Sequence, residues 1–366
     1  MSVIPRGPGA TAWSPETVTT DPYNAETPTA ALSEPLTPAG ALFVRDHFGI
    51  PRAGPAAWRL RIDGAVRTPY TLATDELAAL PHRELDVVLE CAGNGRTLMT
   101  PTPPGLPWGR RAVGCARFAG VPFRLVAERA GIAPEAVEFV FTGADSGPVR
   151  GRPTAFERSL PLSAALHPDT LLATRLDGAP LTPEHGAPVR LVVPGRYAVA
   201  DVKWLVGARA VTSPFEGVFQ SEEYVYVDAR GTAEGPVTAL RVTSLITAPG
   251  PDEDLRRHRE TVVRGRAWSG AGTPVRRVEV RTVPEDEPDH EQDGEPGGWR
   301  EAELEAPSGP YAWTGWSFRW TPRSPGRYRV LARATDAHGE TQPERPVWNA
   351  HGYGCNAVAA VDVMVV

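Results

Sequence analysis

Proline and glycine interrupt this chain more often than anything else in it: 39 prolines and 36 glycines fall among 366 residues. Proline fixes φ and removes a backbone donor, and glycine weakens the interior of a helix, so such a chain favours short elements joined by turns. Its helix-like stretches, TDELAAL and PFRLVAERAGI, are brief. A regular alternation of parallel strands and long helices is therefore excluded. The length suits two domains, and hydrophobic residues at 41% with charged residues at 22% are globular values. Lys+Arg 38 against Asp+Glu 44 leaves a net charge of −6 and argues against nucleic acid as the main partner. An acidic body can still hold a local basic pocket. No apolar run approaches the roughly 20 residues of a membrane helix. Three cysteines, Cys91, Cys115 and Cys355, make no disulfide framework, and no CxxC pair points to structural zinc.

Residues 1–40, rich in Pro, Thr, Ala and Ser, read as an extended arm lying over a surface. Over residues 41–234, short apolar runs such as LDVVLECAG, AVEFVFTG and PVRLVVPG alternate with short helical ones. Thr74 is placed to cap a helix over Asp75–Leu80, which Pro81 ends. This part reads as a mixed α+β domain. From 235 to 366 the character changes: VTALRVTSLITAP, ETVVRGRAWSG, PVRRVEVRTV, YAWTGWSFRWTP, GRYRVLARATDA and AVAAVDVMVV are strand-like runs punctuated by Gly, Pro and Asp. Their spacing predicts an all-β antiparallel sandwich of immunoglobulin type. Between two of them lies EDEPDHEQDGEPGG, either a solvated hairpin insertion or an acidic docking loop. The opening MSVIPRGPGATAWSPETVTT carries neither the apolar stretch of a secretory leader nor a twin-arginine pair. The expectation is a cytoplasmic protein, or a periplasmic one if a leader has been removed.

The sharpest local feature is LDVVLECAGNGR, in which an apolar strand delivers Cys91 into a Gly/Asn turn with Arg96 five residues on. A cysteine so placed is a buried small hydrophobe, a nucleophile or a soft-metal ligand. FVRDHFGIP brings Arg45 and His47 into one loop, HGAPVRLVVPG places His185 and Arg190 at a strand, and ADVKWLVG adds Lys203. If Arg45, Arg96, Arg190 and Lys203 met, they would form a basic pocket suited to an anionic substrate or a phosphate-bearing cofactor. GxGxxG, P-loop, HExxH and GxSxG motifs are absent.

In this order, FVRDH, ECAGNGR, HGAPVRLVVPG and DVKW, followed by an aromatic-rich β-domain, resemble the sulfite oxidase family, the molybdopterin-dependent enzymes that include eukaryotic nitrate reductase. The resemblance runs from DPYNAETPTAAL to WNAHGYGCNA, nearly the whole chain. It implies an α+β molybdopterin-binding domain followed by an immunoglobulin-like dimerisation domain, hence a homodimer. It implies Cys91 as the molybdenum ligand, and Asp46, His47, Asp145, His185, Arg190, Asp201, Val202 and Lys203 as cofactor-binding residues. Arg45 and Arg96 match oxyanion-binding arginines, Trp108 a pocket-wall tryptophan and Tyr224 an active-site tyrosine. The activity implied is oxidation of sulfite to sulfate by oxygen-atom transfer. With no haem segment in the sequence, the electron acceptor would be external. Alternatives are an S-oxide or nitrate reductase on the same cofactor, or a non-enzymatic interaction protein with a degenerate cofactor domain. Three departures stand out. Gly95 sits where animal enzymes carry a second basic residue, Thr314 near the place of another anion-binding arginine, and Phe118 where tryptophan is common.

Overall fold

In the amino-terminal part, two sheets close on one apolar core. In the first, Arg83–Glu90 pairs with Val113–Pro122, which pairs with Leu171–Leu176; Ala179–Pro180 and Arg190–Val192 complete it. The second runs in the order Tyr70–Ala73, Arg59–Gly64, Leu205–Val211, Glu138–Val149, Arg152–Pro161. Its central pair, Arg59–Gly64 with Leu205–Val211, is parallel. Val121, Leu172 and Leu191 of one sheet meet Leu60, Ile62, Phe139 and Phe141 of the other. Phe123 lies edge-on to Phe139 and Phe141, with ring centroids 5.0 and 4.8 Å away. This is a computed structural model describing residues 13–51, 57–270, 272–285 and 298–366. Most of the acidic stretch EDEPDHEQDGEPGG lies outside the described residues.

Helix contributes less than an α+β domain leads one to expect. The longest helix among the described residues is Phe123–Ala130, eight residues held between Pro122 and Gly131. Gly131, at φ 70°, takes the left-handed turn that ends it. The protein is mostly β. The helix near Thr74 is also differently capped: it spans Thr74–Ala78, and Ala73 holds the cap position. The Ala73 N–H donates to the Glu76 carboxylate at 2.9 Å, so the reach-back comes from Glu76.

The described part of the expected arm opens with a hairpin, Glu16–Thr20 with Tyr23–Glu26, whose second strand pairs with Val44–Arg45, and continues into a short helix, Thr29–Leu32. Beyond residue 240, two sheets share a second core. One has the order Thr243–Ala248, Thr261–Trp268, Thr314–Trp320, Glu303–Leu304; the other Asp254–Leu255, Ala359–Val365, Gly326–Asp336, Val275–Pro284, Arg300–Glu301. Trp316, Phe318 and Trp320 face Val278, Val330 and Val361 across the interior. All pairs here are antiparallel except Asp254–Leu255 with Ala359–Val365. A third cluster, with Val88, Tyr197 and Tyr224 from the first part and Leu245, Trp268 and Trp313 from the second, fuses the two.

Candidate functional site

The strand Arg83–Glu90 ends at Cys91, and the turn after it is cross-braced. The Cys91 N–H donates to Ala112 O at 2.9 Å, and the Asn94 amide bridges the Glu90 carboxylate and the Ala112 N–H, each at 3.0 Å. Gly95 turns the chain at φ 78°. A Cβ at Gly95 would also sit 3.1 Å from the Cys355 sulfur, so both backbone and space exclude a basic side chain there. Cys91 is left 6% exposed at the edge of a cleft. Burial pushes its thiol above the ordinary range, while Arg45 and the Gly93 N–H act against the rise.

The loop after Val44–Arg45 is positioned by the amino-terminal hairpin. The Asn24 side-chain oxygen accepts the Asp46 N–H at 3.0 Å and an Arg45 N–H at 3.3 Å. Arg45 donates to His47 Nδ1 at 2.9 Å. Opposite this loop, Lys203 forms an ion pair with Asp46 and donates to Glu184 O at 2.8 Å. Lys203 also lies over the Trp204 ring, 4.3 Å from its centroid. Arg190 donates to His185 O at 3.2 Å, lies 4.0 Å from the Asp201 carboxylate and sits above Phe118. Asp201 in turn accepts the Val193 N–H at 2.7 Å.

These elements surround a cleft that opens to solvent. Arg45, His47, Cys91, Asp145, His185, Arg190, Asp201, Lys203 and Tyr224 all line it, although they come from six separate stretches of chain. Asp46 is buried behind it through Lys203. Val202 is buried, and its carbonyl accepts the Leu191 N–H at 2.8 Å. Trp108 is fully buried in a cluster with Leu42, Phe43 and Cys91 and is not part of the lining. Nor is Arg96, whose guanidinium is bonded to the carbonyls of Leu106 and His351. Thr314, expected beside the cleft, is instead buried in the distal sandwich opposite Ala267. Among the described residues, no lining residue comes from the second part of the chain, but behind the lining His351 O accepts from Arg96 and the Tyr353 ring stacks on Tyr224. Sequence reasoning missed Phe43, Phe156, Glu184 and Trp204 in the lining. Of these, Phe43 and Trp204 had a visible signal, the first opening FVRDH and the second closing DVKW.

The cleft's electrostatics are those of a mixed-charge pocket whose ionisable groups are largely buried. Burial lowers both His47 and His185 to about 3, with Arg45 beside the first and Arg190 and Lys203 beside the second, so both imidazoles are neutral at pH 7. Burial raises Asp145 to about 6 and Asp201 to about 7, opposed by Lys203 and Arg190 respectively. Burial also lowers Lys203 to about 8, opposed by Asp46. Among the described residues, three buried polar atoms in or just behind the cleft have no partner: Asp46 Oδ2, Asp145 Oδ1 and Arg190 Nε. Unpaired buried polar atoms are costly, and gathered around one cleft they mark the contacts of a polar ligand. With a soft thiol at one end and cations beside neutral imidazoles along the wall, the residues present fit a molybdenum–pterin cofactor carrying a phosphate.

Comparison with known proteins agrees. Residues 47–219 match the model of the oxidoreductase molybdopterin binding domain, and residues 234–365 that of the Mo-co oxidoreductase dimerisation domain. The chain is similar to the sulfite oxidase of Gallus gallus, 34% identical over 95% of this chain and 76% of that protein. It is 33% identical to the mitochondrial sulfite oxidase of Mus musculus over 94% of this chain, and spans 64% of that protein's length. Among solved structures, the sulfane dehydrogenase SoxCD from Paracoccus pantotrophus superposes with a TM-score of 0.79 at 26% identity, covering 93% of this chain and 84% of that one. The chain belongs to the sulfite oxidase family.

Proposed function

We propose that the protein is a molybdenum-cofactor oxidoreductase that converts sulfite and water to sulfate, two protons and two electrons, the electrons leaving to an external acceptor. The observation that carries this reading is the convergence on one cleft of a strand-end thiol, the cations Arg45, Arg190 and Lys203, and unpartnered buried atoms of Asp145 and Arg190. When bound, the cofactor supplies the two-electron exchange and the oxygen atom passed to sulfur. Cys91 would hold the metal through a thiolate, losing its proton on binding. Arg190 and Lys203 would grip the phosphate, and His47, Asp145, His185 and Asp201 the polar edges of the pterin. Nδ1 of each imidazole is already bonded, to Arg45 in His47 and to Thr182 in His185, so Nε2 is the atom each has left for the pterin, and in His47 it is a donor. Arg45 and the Tyr224 hydroxyl would orient the sulfite oxyanion in a pocket of largely buried groups, where their fields are strong.

The distal sandwich we read as immunoglobulin-like and as the surface through which two copies pair; its two sheets with one shared core and its match to a dimerisation model support this. A second substrate, another oxyanion or an S-oxide, is favoured by one observation: Arg96 is committed to backbone carbonyls and is not part of the cleft lining, which leaves fewer free cations for a dianion. Two steady-state assays on the molybdenum-loaded enzyme separate the two: ferricyanide reduction reads sulfite oxidation, and oxidation of reduced methyl viologen reads electron flow to nitrate or an S-oxide. Saturable dependence on sulfite supports the first reading. A loaded enzyme that ignores sulfite but oxidises reduced methyl viologen when given nitrate or an S-oxide supports the second, and a purified protein that takes up no molybdenum sinks both.

A further inference from the structure

Arg96 matches an oxyanion-binding arginine in sequence, yet its surroundings are those of a fastening. Its Nη1 donates to Leu106 O at 2.7 Å, and its Nε and Nη2 donate to His351 O at 3.1 and 3.0 Å. Glycines let the backbone close around it: a Cβ at Gly93 would meet Nη2 at 2.6 Å, one at Gly105 would meet Nη1 at 3.0 Å, and one at Gly352 would meet Cγ at 2.8 Å. Arg96 is 5% exposed.

What it fastens is a loop of the distal domain. The buried Asn349 side chain accepts the Tyr353 N–H at 3.0 Å and donates to Tyr353 O at 2.8 Å. Gly352 and Gly354, at φ 64° and 63°, bend the chain on either side of Tyr353. The Gly354 N–H donates to Ala92 O, one residue past Cys91, at 2.8 Å, and Arg241 donates to Gly354 O at 2.9 Å. So held, the Tyr353 ring stacks on Tyr224 with centroids 5.1 Å apart and planes 15° from parallel, and the Arg96 guanidinium lies 5.5 Å from its centroid. Arg158 stands 6.0 Å from the Tyr224 ring, so the stack has a cation near each of its rings.

We infer that Arg96 and Tyr353 are positioning residues: Arg96 clamps the distal domain's Asn349–Gly354 loop to the cleft, and Tyr353 sets the orientation of Tyr224. This rests on the reading of the cleft as the site of oxyanion turnover. The test is a double-variant cycle on the molybdenum-loaded enzyme, comparing Tyr353→Leu, Arg96→Lys and the pair, with molybdenum content measured in each. Loss of an ordered aromatic stack is expected to raise KM for sulfite about tenfold in either single variant while kcat holds within about threefold. The double variant should raise KM no further, and Tyr353→Phe, which keeps the stack, should restore it. Additive effects in the pair would mean that Arg96 touches the substrate itself, and unchanged KM in Tyr353→Leu would mean that the stack positions nothing. A wild-type enzyme inert toward sulfite would remove the functional reading and leave the clamp to be decided by the crystal structure of Tyr353→Leu. There a displaced Tyr224 ring supports the inference, and an unmoved one overturns it whatever the kinetics.

Discussion

Cys91 and Asp145 show how a single side chain acquires its chemistry from where the chain leaves it. Cys91 sits at the end of a strand whose turn is braced by Asn94, so replacing its sulfur changes the donor and little of the packing. Cys91→Ser is expected to abolish sulfite-dependent turnover and metal retention, with stability within about 1 kcal/mol of wild type; metal analysis and thermal unfolding check it. Asp145 carries the opposite burden. Burial raises it to about 6, opposed by Lys203 and Arg45, so the folded state prefers its neutral form. Its contribution to stability is therefore intact below the ordinary aspartate range and is lost as pH rises through about 6. Asp145→Asn in the cofactor-free protein is expected to raise the melting temperature at pH 7.5, by at most roughly 3 kcal/mol of stability, and to change little at pH 4. An equal effect at both pH values would show that the carboxylate is not ionised at the cost of folding.

Strands were the easiest elements to read and short helices the hardest. The run GRYRVLARATD alternates buried and exposed along most of its length in Gly326–Asp336, as a period of two demands of a half-covered sheet. The six strand-like runs of the distal part all contain strands. The hairpin Glu16–Glu26 gave no such sign, because ETVTT and YNAE are too polar and too short to show a period; pairing with Val44–Arg45 stabilises it. Within the sandwich, Gly265 is where a strand and a ring come closest. A Cβ there would meet Leu245 O at 2.1 Å and the Trp316 ring at 2.2 Å. Gly265→Ala is expected to destabilise by about 1–3 kcal/mol through overpacking, seen as a lower denaturation midpoint with the cleft's metal content unchanged per folded molecule.

Across the molecule, the two domains share a core and so should unfold together. Trp268 of the sandwich donates to Glu90 at 2.9 Å, next to Cys91, and Arg110 reaches across to Ala357 O at 3.1 Å and Val358 O at 2.8 Å. Removing the arginine leaves those carbonyls without its donors. Arg110→Met is expected to cost about 2–4 kcal/mol and to split one calorimetric transition into two. A single transition at an unchanged temperature would show that the apolar cluster around Tyr197, Trp268 and Trp313 suffices to hold the domains together.

The site was legible where its chemistry is carried by rare residue types in fixed local order: a thiol at a strand end, His and Arg in short loops, a lysine beside a tryptophan. Such motifs survive in one dimension because each is made by a few consecutive residues whose turn geometry is local. The strand-like runs of the second part were visible for the same reason, since periodicity and punctuation are local properties, whereas the first part was read as α+β and holds less helix than that. The long-range facts were not. That Asn24 holds the Arg45 loop, that Cys355 excludes a side chain at Gly95, and that Arg96 spends its donors on His351 all depend on contacts between segments far apart in the chain. Residue type says what a group can bind, but which of its partners arrives first is settled by packing, and packing joins residues that no window of sequence contains.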